Sequence, residues 1–144
     1  MKIYLDNCCF NRPFDDQSQL RVKIEAEAKL KIQDEIRARK FELSWSYILD
    51  LENMHNPFDE RKIQISEWKK FASGHVQETP EIINMANSLI LKGLRKLDSL
   101  HVACAISLHC DYFLTTDDKI LKKFYLIEEI RITDPFGFVK ELGL

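Results

Sequence analysis

The stretch from residue 97 to residue 119 constrains the fold of this chain most strongly. Its first half, 97–109, is apolar on nearly every side apart from Asp98, two serines and two histidines, which is typical of a helix buried inside a layered domain. Its second half is a short apolar run, 112–114, followed by Thr-Thr-Asp-Asp. This pattern predicts a strand buried on both faces whose carboxyl end opens into an acidic loop.

The length and charge of the chain narrow its class. With 144 residues and a mass of 17.0 kDa, we expect one domain over residues 1–144 that buries about two-thirds of its unfolded surface. The net charge of -2 and the pI near 6.1 exclude the global basic field of tight duplex binders, so nucleic acid would be bound by local patches. No apolar run approaches membrane-spanning length, and the chain turns polar at Asp6, so we expect no membrane association and a cytoplasmic location.

The four cysteines do not suggest a metal centre. Cys8 and Cys9 are adjacent, Cys104 and Cys110 lie far along the chain, and no Cys-x-x-Cys pair occurs. We expect free thiols that behave as small apolar side chains in a reducing compartment.

Short apolar segments alternate with longer helical patterns. The predicted strands cover 3–5, 41–45, 75–78, 112–114 and 130–133, and the predicted helices cover 18–40, 46–55, 59–72, 80–92, 97–109, 119–124 and 136–142. Ser18 is expected to cap the first helix, 7–16 to form a turn-rich loop, and Gly74 to end the third helix. The alternation predicts an α/β fold with a parallel sheet covered by helices on both faces.

Four carboxylates are predicted to meet at one edge of this sheet. Asp6 and Asp117 each end a strand, and ligands of open parallel sheets bind outside the carboxyl ends of the strands. Asp98 at a helix entrance and Glu52 on the helix after the second strand can face the same crevice. Carboxylates without paired arginines repel one another unless a cation neutralises them, and Mg²⁺ or Mn²⁺ prefers such oxygen ligands. The pattern indicates a metal-dependent phosphodiester site at which activated water attacks phosphorus without a covalent enzyme intermediate.

Each of these side chains also has a purely structural interpretation. Asp98 could cap its helix, and Asp6 and Asp117 could be strand-end turn residues. Glu52 could be a solvated helix residue. His101 is expected to be a satisfied core histidine or a partner that orients Asp98, which lies one turn away. The metal-site hypothesis therefore rests on the agreement of four positions with one crevice.

The order of these motifs resembles that of PIN-domain proteins. The segments that carry the resemblance are IYLDNC at 3–8, Glu52, DSLHVACA at 98–105, FLTTDDK at 113–119 and ITDP at 132–135. The resemblance covers the whole chain and implies a single PIN-like domain, a three-layer α/β/α sandwich around a parallel sheet, and cleavage of RNA that depends on Mg²⁺ or Mn²⁺. Many small members resemble VapC-type toxins, which an antitoxin protein inhibits and which are commonly homodimers.

Carried over position by position, the resemblance implies that Asp6, Glu52, Asp98 and Asp117 form the catalytic and metal-binding set. Asp50 competes with Glu52 for the second position, and Asp118 competes with Asp117 for the last; we favour Glu52 and Asp117. The family often has threonine and then serine after the first aspartate. The residues here are Asn7 and Cys8, so one hydroxyl is missing, although the Asn7 amide can still bind a water or a carboxylate.

Candidate contacts to the RNA backbone are Asn7, Arg12, Arg95, Lys96 and Lys119. Such contacts position a strand without reading its sequence, and the structural alternative is that these are solvated surface charges. The charges along 18–40 are expected to form an ion-paired, exposed helix face.

The favoured hypothesis is a metal-dependent endoribonuclease, with the toxin of a toxin-antitoxin pair as its narrower form. One alternative is a catalytically silent PIN-fold domain that binds RNA or protein. Another is a phosphoryl-transfer protein of the haloacid dehalogenase or response-regulator kind, which also groups aspartates at strand ends. The dehalogenase form needs a second aspartate at the position that Cys8 occupies.

Overall fold

A five-stranded parallel sheet forms the middle layer of the molecule. The computed structural model describes residues 1–144. The strands are β1 (Lys2–Leu5), β2 (Glu42–Ser46), β3 (Ala72–Val76), β4 (Tyr112–Leu114) and β5 (Arg131–Thr133). Their order across the sheet is β3-β2-β1-β4-β5, and every neighbouring pair is parallel. The predicted α/β class and parallel sheet are confirmed.

Eight helices complete the three-layer α/β/α fold. They are α1 (Asn7–Asn11), α2 (Leu20–Arg37), α3 (Tyr47–Met54), α4 (Asp59–Trp68), α5 (Pro80–Leu91), α6 (Lys96–Ser107), α7 (Asp118–Leu121) and α8 (Pro135–Leu142). Short 3₁₀ turns cover Arg12–Phe14, Lys69–Phe71 and Phe124–Leu126. None of the helices combines the length and the apolar character that crossing a bilayer requires.

The strand order reverses direction at β1, which pairs with β2 on one side and β4 on the other. Loops that leave two such strands diverge, so a crevice opens between them at the carboxyl edge of the sheet. Asp6 directly follows β1, and its backbone N-H donates to the Leu114 carbonyl at the end of β4, at 2.9 Å. The topology therefore brings the loops after β1 and β4 together at one place.

The stretch 97–119 contains a buried helix and a buried strand, as predicted. Val102, Cys104 and Ala105 of α6 are fully buried, and so are Phe113 and Leu114 of β4. These side chains belong to one core cluster of 30 buried residues. All four cysteines are free thiols, as expected.

The segment from residue 7 to residue 16 is more regular than predicted. Instead of an irregular loop it forms α1 and a 3₁₀ turn, because the Asp6 carboxylate accepts the Asn7 N-H and starts a helix. Ser18 does not cap α2, which begins at Leu20 after Gln19 and has no side-chain cap.

Gly74 was expected to end a helix but lies inside β3, opposite Ser44 of β2. A Cβ at this position would lie 3.5 Å from the Leu108 side chain. This is an ordinary van der Waals distance, so space does not require a glycine here. Gly74 lies where the register of β2 and β3 shifts, and a glycine inside a strand often marks such an irregularity.

Lys29 of α2 is buried in aromatic rather than acidic surroundings. Its side chain is 2% exposed, and its ammonium lies 4.9 Å from the ring centroid of Phe10 and 5.2 Å from that of Trp68. With the Gln33 amide assigned so that its oxygen faces the Lys29 ammonium and the Trp68 indole N-H, that oxygen accepts from both. Burial lowers the pKa of Lys29 to about 7, with the nearby Arg37 charge acting in the same direction and Cys9 opposing it.

The buried Lys29 predicts that stability rises with pH. Above about pH 7 the folded state releases a proton that the unfolded state retains until about pH 10, so unfolding free energy increases by up to about 1.4 kcal/mol per pH unit over that range. The unfolding free energy of the Lys29→Met variant should depend less on pH, and the variant should be more stable than wild type near pH 6. Urea unfolding at several pH values measures both slopes. The matched control is Lys31→Met, an exposed lysine on the same helix; equal slopes in wild type and Lys29→Met would contradict the prediction.

Candidate active site

One crevice of about 320 Å³ contains all four of the acids favoured from sequence. It is lined by Asp6, Asn7, Cys8, Glu52, Arg95, Leu97, Asp98 and Asp117. These residues come from the end of β1 and the start of α1, from α3, from the start of α6 and from the segment after β4. The crevice therefore lies where the strand order reverses, as the topology predicts.

Asp6 is buried and held by donors on both of its oxygens. Its Oδ1 accepts the Asn7 N-H at 2.8 Å, and its Oδ2 accepts the Thr115 hydroxyl at 2.8 Å. The Thr115 Oγ1 also accepts the N-H of Asp117 at 3.1 Å. Thr115 thus joins the first acid to the last, and the sequence analysis missed it; the hydroxyl pair Thr-Thr directly before Asp117 was the signal.

Cys8 occupies the position at which the family pattern has a hydroxyl. Its Sγ lies 3.4 Å from Asp6 Oδ2 and 3.4 Å from Thr115 Oγ1, and it accepts the Thr116 N-H at 3.3 Å. Thr115, which directly follows β4, donates its hydroxyl to Asp6. It therefore provides a hydroxyl beside Asp6 although Cys8 has none.

Glu52 is oriented by a buried chain of polar groups. The Glu52 carboxylate accepts from Nε2 of His101, whose side chain is 1% exposed. The opposite ring nitrogen, Nδ1, lies 2.6 Å from the Tyr4 hydroxyl, which lies 2.6 Å from the Ser46 hydroxyl. Ser46 in turn accepts the N-H of Leu49 at 3.3 Å. This series of hydrogen bonds links the crevice to the start of α3.

The protonation of His101 does not change this orientation. Its burial acts to lower the pKa, but the carboxylates of Asp6, Glu52 and Asp98 outweigh burial, and the pKa is raised. In the neutral form with the proton on Nε2, and in the charged form, Nε2 donates to Glu52. The sequence analysis expected His101 to be a core residue or a partner of Asp98; it is a core residue whose partner is Glu52.

Asp98 and Asp117 are both bonded to Arg95. The Arg95 Nε donates to Asp98 Oδ2 at 2.8 Å, and the same guanidinium donates to Asp117 Oδ2. Burial raises the pKa of Asp98, although Arg95 opposes that effect. Asp98 does not cap α6, because Arg95 occupies the capping position and Asp98 lies in the first turn.

The two competing acids point away from the crevice. Asp50 accepts the Trp45 indole N-H at 2.9 Å and pairs with Lys69 at 2.9 Å. Asp118 pairs with Arg21 at 2.8 Å. Neither residue lines the crevice, whereas Glu52 and Asp117 do.

The predicted substrate contacts are divided between different surfaces. Asn7 and Arg95 line the crevice, and Lys96 lines an adjoining apolar groove. Arg12 lies elsewhere and pairs with Asp15 at 3.3 Å and with Glu25 at 3.4 Å.

The donor set fits a hard divalent cation. Carboxylate oxygens of Asp6 and Glu52 lie within 4.8 Å of each other, and Asp98 and Asp117 add carboxylate oxygens to the same crevice. His101 Nε2 is equally near, but it donates to Glu52 and so orients that acid instead of binding the ion. The Asn7 side-chain oxygen is buried there without a hydrogen-bond partner. Oxygen-rich sets of this kind suit Mg²⁺ or Mn²⁺.

No protein-family model and no curated protein matches the sequence. Solved structures do match. A chain in the structure of VapBC2 from Rickettsia felis bound to a promoter DNA fragment has a TM-score of 0.59 and 12% identity, over 93% of this chain and 98% of that one. A chain of FitAcB from Neisseria gonorrhoeae has a TM-score of 0.60 and 12% identity, over 93% of this chain and 98% of that one. A chain of VapBC-1 from nontypeable Haemophilus influenzae has a TM-score of 0.57 and 19% identity, over 94% of this chain and 98% of that one.

The chain has a PIN-like fold. This agrees with the resemblance of the sequence motifs, and the near-complete coverage of both chains means that the shared fold includes every layer of the molecule. At these sequence identities the similarity concerns architecture, and the chemistry has to be argued from the crevice itself.

The polar chain behind Glu52 predicts a stability cost for Tyr4→Phe. Loss of this hydroxyl leaves His101 Nδ1 and the Ser46 hydroxyl buried without their partner, which should lower unfolding free energy by about 1–3 kcal/mol. The control is Tyr112→Phe, whose hydroxyl bonds only the largely exposed Arg131 and should cost less than about 1 kcal/mol. Urea unfolding measures both; equal costs would show that the buried chain adds nothing.

Proposed function

We propose that this protein is an endoribonuclease that requires Mg²⁺ or Mn²⁺ and hydrolyses RNA phosphodiester bonds. The observation that carries the proposal is the meeting of four carboxylates from four chain segments in one crevice at the reversal of strand order. Asp6, Glu52, Asp98 and Asp117 would hold the metal and form the catalytic set. A divalent ion bound there supplies Lewis acidity to the scissile phosphate and to the attacking water.

The side chains around the acids have supporting roles in this proposal. Thr115 fixes Asp6, and His101 fixes Glu52, so the acids are preorganised before any ligand arrives. Arg95 at the mouth of the crevice can contact the RNA backbone, a role that positions the strand without selecting sequence.

The remaining backbone contacts lie outside the crevice. Lys96 follows Arg95 in the chain and is exposed, so it would contact RNA beyond the cleaved bond. Arg12 is engaged by Asp15 and Glu25, so its contact with RNA would be peripheral.

We propose further that the nuclease is the toxin of a type II toxin-antitoxin pair and acts in the cytoplasm. Four solved structures with this fold are VapBC or FitAcB assemblies. An antitoxin protein is therefore the expected partner. The acidic crevice is complementary to a cationic side chain from such a partner, which would also exclude metal and RNA.

A second copy of the chain is the proposed partner of the apolar groove between α3, α5 and α6. Leu51, Ile90 and Leu97 line this groove and are about two-fifths exposed. Exposed apolar patches of this kind are typical of protein interfaces. Leu97 also lines the crevice, so in a homodimer the two catalytic crevices would lie beside the subunit boundary.

The homodimer predicts a mass change for Leu51→Glu. A buried carboxylate in the interface should convert a dimer into a monomer, whereas Leu20→Glu on the exposed face of α2 should leave the dimer intact. Light scattering after size-exclusion chromatography measures both masses. A monomeric wild type, or a dimeric Leu51→Glu variant, would contradict the assignment.

The nuclease proposal predicts opposite results for two adjacent aspartates. Asp117→Asn should lower Mn²⁺-dependent cleavage by about 100-fold or more, because it removes a ligand charge from the crevice. Asp118→Asn makes the same chemical change at a residue paired with Arg21, and should keep activity within about threefold. The assay is cleavage of a labelled mixed RNA pool with Mn²⁺ and with chelator.

Equal cleavage by the two variants, or cleavage that survives the chelator, would contradict the metal-dependent site. RNA that binds but is not cut would instead support the catalytically silent binding domain. An acyl-phosphate trapped on Asp6 by hydroxylamine would support the phosphoryl-transfer alternative.

A further inference from the structure

We infer that Arg95 is an internal competitor of the metal: its guanidinium bridges Asp98 and Asp117 while the metal is absent, and leaves them when a divalent cation binds. The inference rests on the proposed metal-dependent function and adds a means of coupling metal binding to RNA binding. Its basis is the arrangement of charge within the crevice.

The acids form two pairs that are held by different side chains. Asp6 and Glu52 surround the buried His101, whose Nε2 lies 3.7 Å from Asp6 Oδ1 and donates to Glu52. Asp98 and Asp117 are joined instead by Arg95. A divalent ion that binds the Oδ2 atoms of Asp98 and Asp117 must therefore replace the guanidinium there.

Three of the four carboxylate oxygens of the second pair are already engaged. Asp117 Oδ2 accepts from Arg95, and Asp117 Oδ1 accepts the Lys119 N-H at 2.9 Å. Asp98 Oδ2 accepts the Arg95 Nε. One flexible side chain thus occupies positions at the start of α6 and at the end of β4 that a cation would otherwise take.

Arg95 can leave, whereas His101 cannot. The Arg95 side chain is 53% exposed, while those of Asp98 and Asp117 are 13% and 27% exposed. Ion pairs at such partly exposed positions are weak, so a doubly charged ion can displace the guanidinium at little cost. His101 is enclosed in the core and bonded on both ring nitrogens.

The displaced guanidinium would remain tethered at the mouth of the crevice. There it is free to form a bidentate contact with a phosphate, which is the geometry that arginine favours. Arg95 therefore weakens metal binding in the absence of RNA and strengthens RNA binding once the metal is present. The two effects have opposite signs, and this distinguishes the inference from a simple structural role.

The test measures Mn²⁺ affinity by titration calorimetry on the full chain, with RNA cleavage as a second readout. Arg95→Met should bind Mn²⁺ about tenfold more tightly than wild type, since it removes the competing charge. It should also show a raised KM for RNA. The matched control, Lys96→Met, removes the same charge from the next residue, which does not line the crevice, and should change Mn²⁺ affinity by less than about twofold.

Thermal melting of the variants checks that each is folded. Unchanged or weaker Mn²⁺ binding by Arg95→Met would overturn the inference, and so would an equal gain in Lys96→Met, because that would indicate only net charge. Failure of all three proteins to bind Mn²⁺ would overturn the proposed metal site itself, so the two failures can be told apart.

Discussion

Four carboxylates that lie in one crevice repel one another, and the surrounding structure offsets this repulsion with hydrogen-bond donors. Each acid has its own donor: backbone and hydroxyl groups hold Asp6, His101 holds Glu52, and Arg95 holds the remaining pair. Buried or half-buried carboxylates without such partners would cost several kcal/mol each. These donors thus hold the carboxylates in place in a group that could hold a metal ion.

The sheet explains why these donors are in place. Since β1 pairs with β4, the end of β4 delivers Thr115 beside Asp6. Since β1 also pairs with β2, the Tyr4 hydroxyl of β1 reaches Ser46 at the end of β2. His101 of the buried helix α6 completes the link to Glu52. Core packing and site geometry are therefore determined by the same strand pairings.

Much of this was predictable because it depends on local patterns. The ends of short apolar strands located Asp6 and Asp117, and an almost wholly apolar helix located α6 with Asp98 at its start. What escaped prediction depends on tertiary contacts. The indole of Trp45 engages Asp50 and leaves Glu52 to the crevice, and the role of Thr115 becomes visible only once β4 lies beside β1.

The errors have the same origin. The local pattern around Gly74 predicts the end of a helix, whereas pairing with β2 places this residue inside a strand. Arg95 was predicted from its position to contact RNA, but the chain itself supplies two carboxylates within its reach. Charge at a site can be read from sequence, whereas the partner of each charge requires the fold.

The most direct test of the metal site is anomalous diffraction from crystals soaked in Mn²⁺. The structure predicts a manganese peak within the crevice, with oxygens of Asp6 and Asp98 or Asp117 in its coordination shell and the Arg95 side chain displaced. Mn²⁺-soaked crystals of well-ordered protein that show no peak among these carboxylates would contradict the central claim.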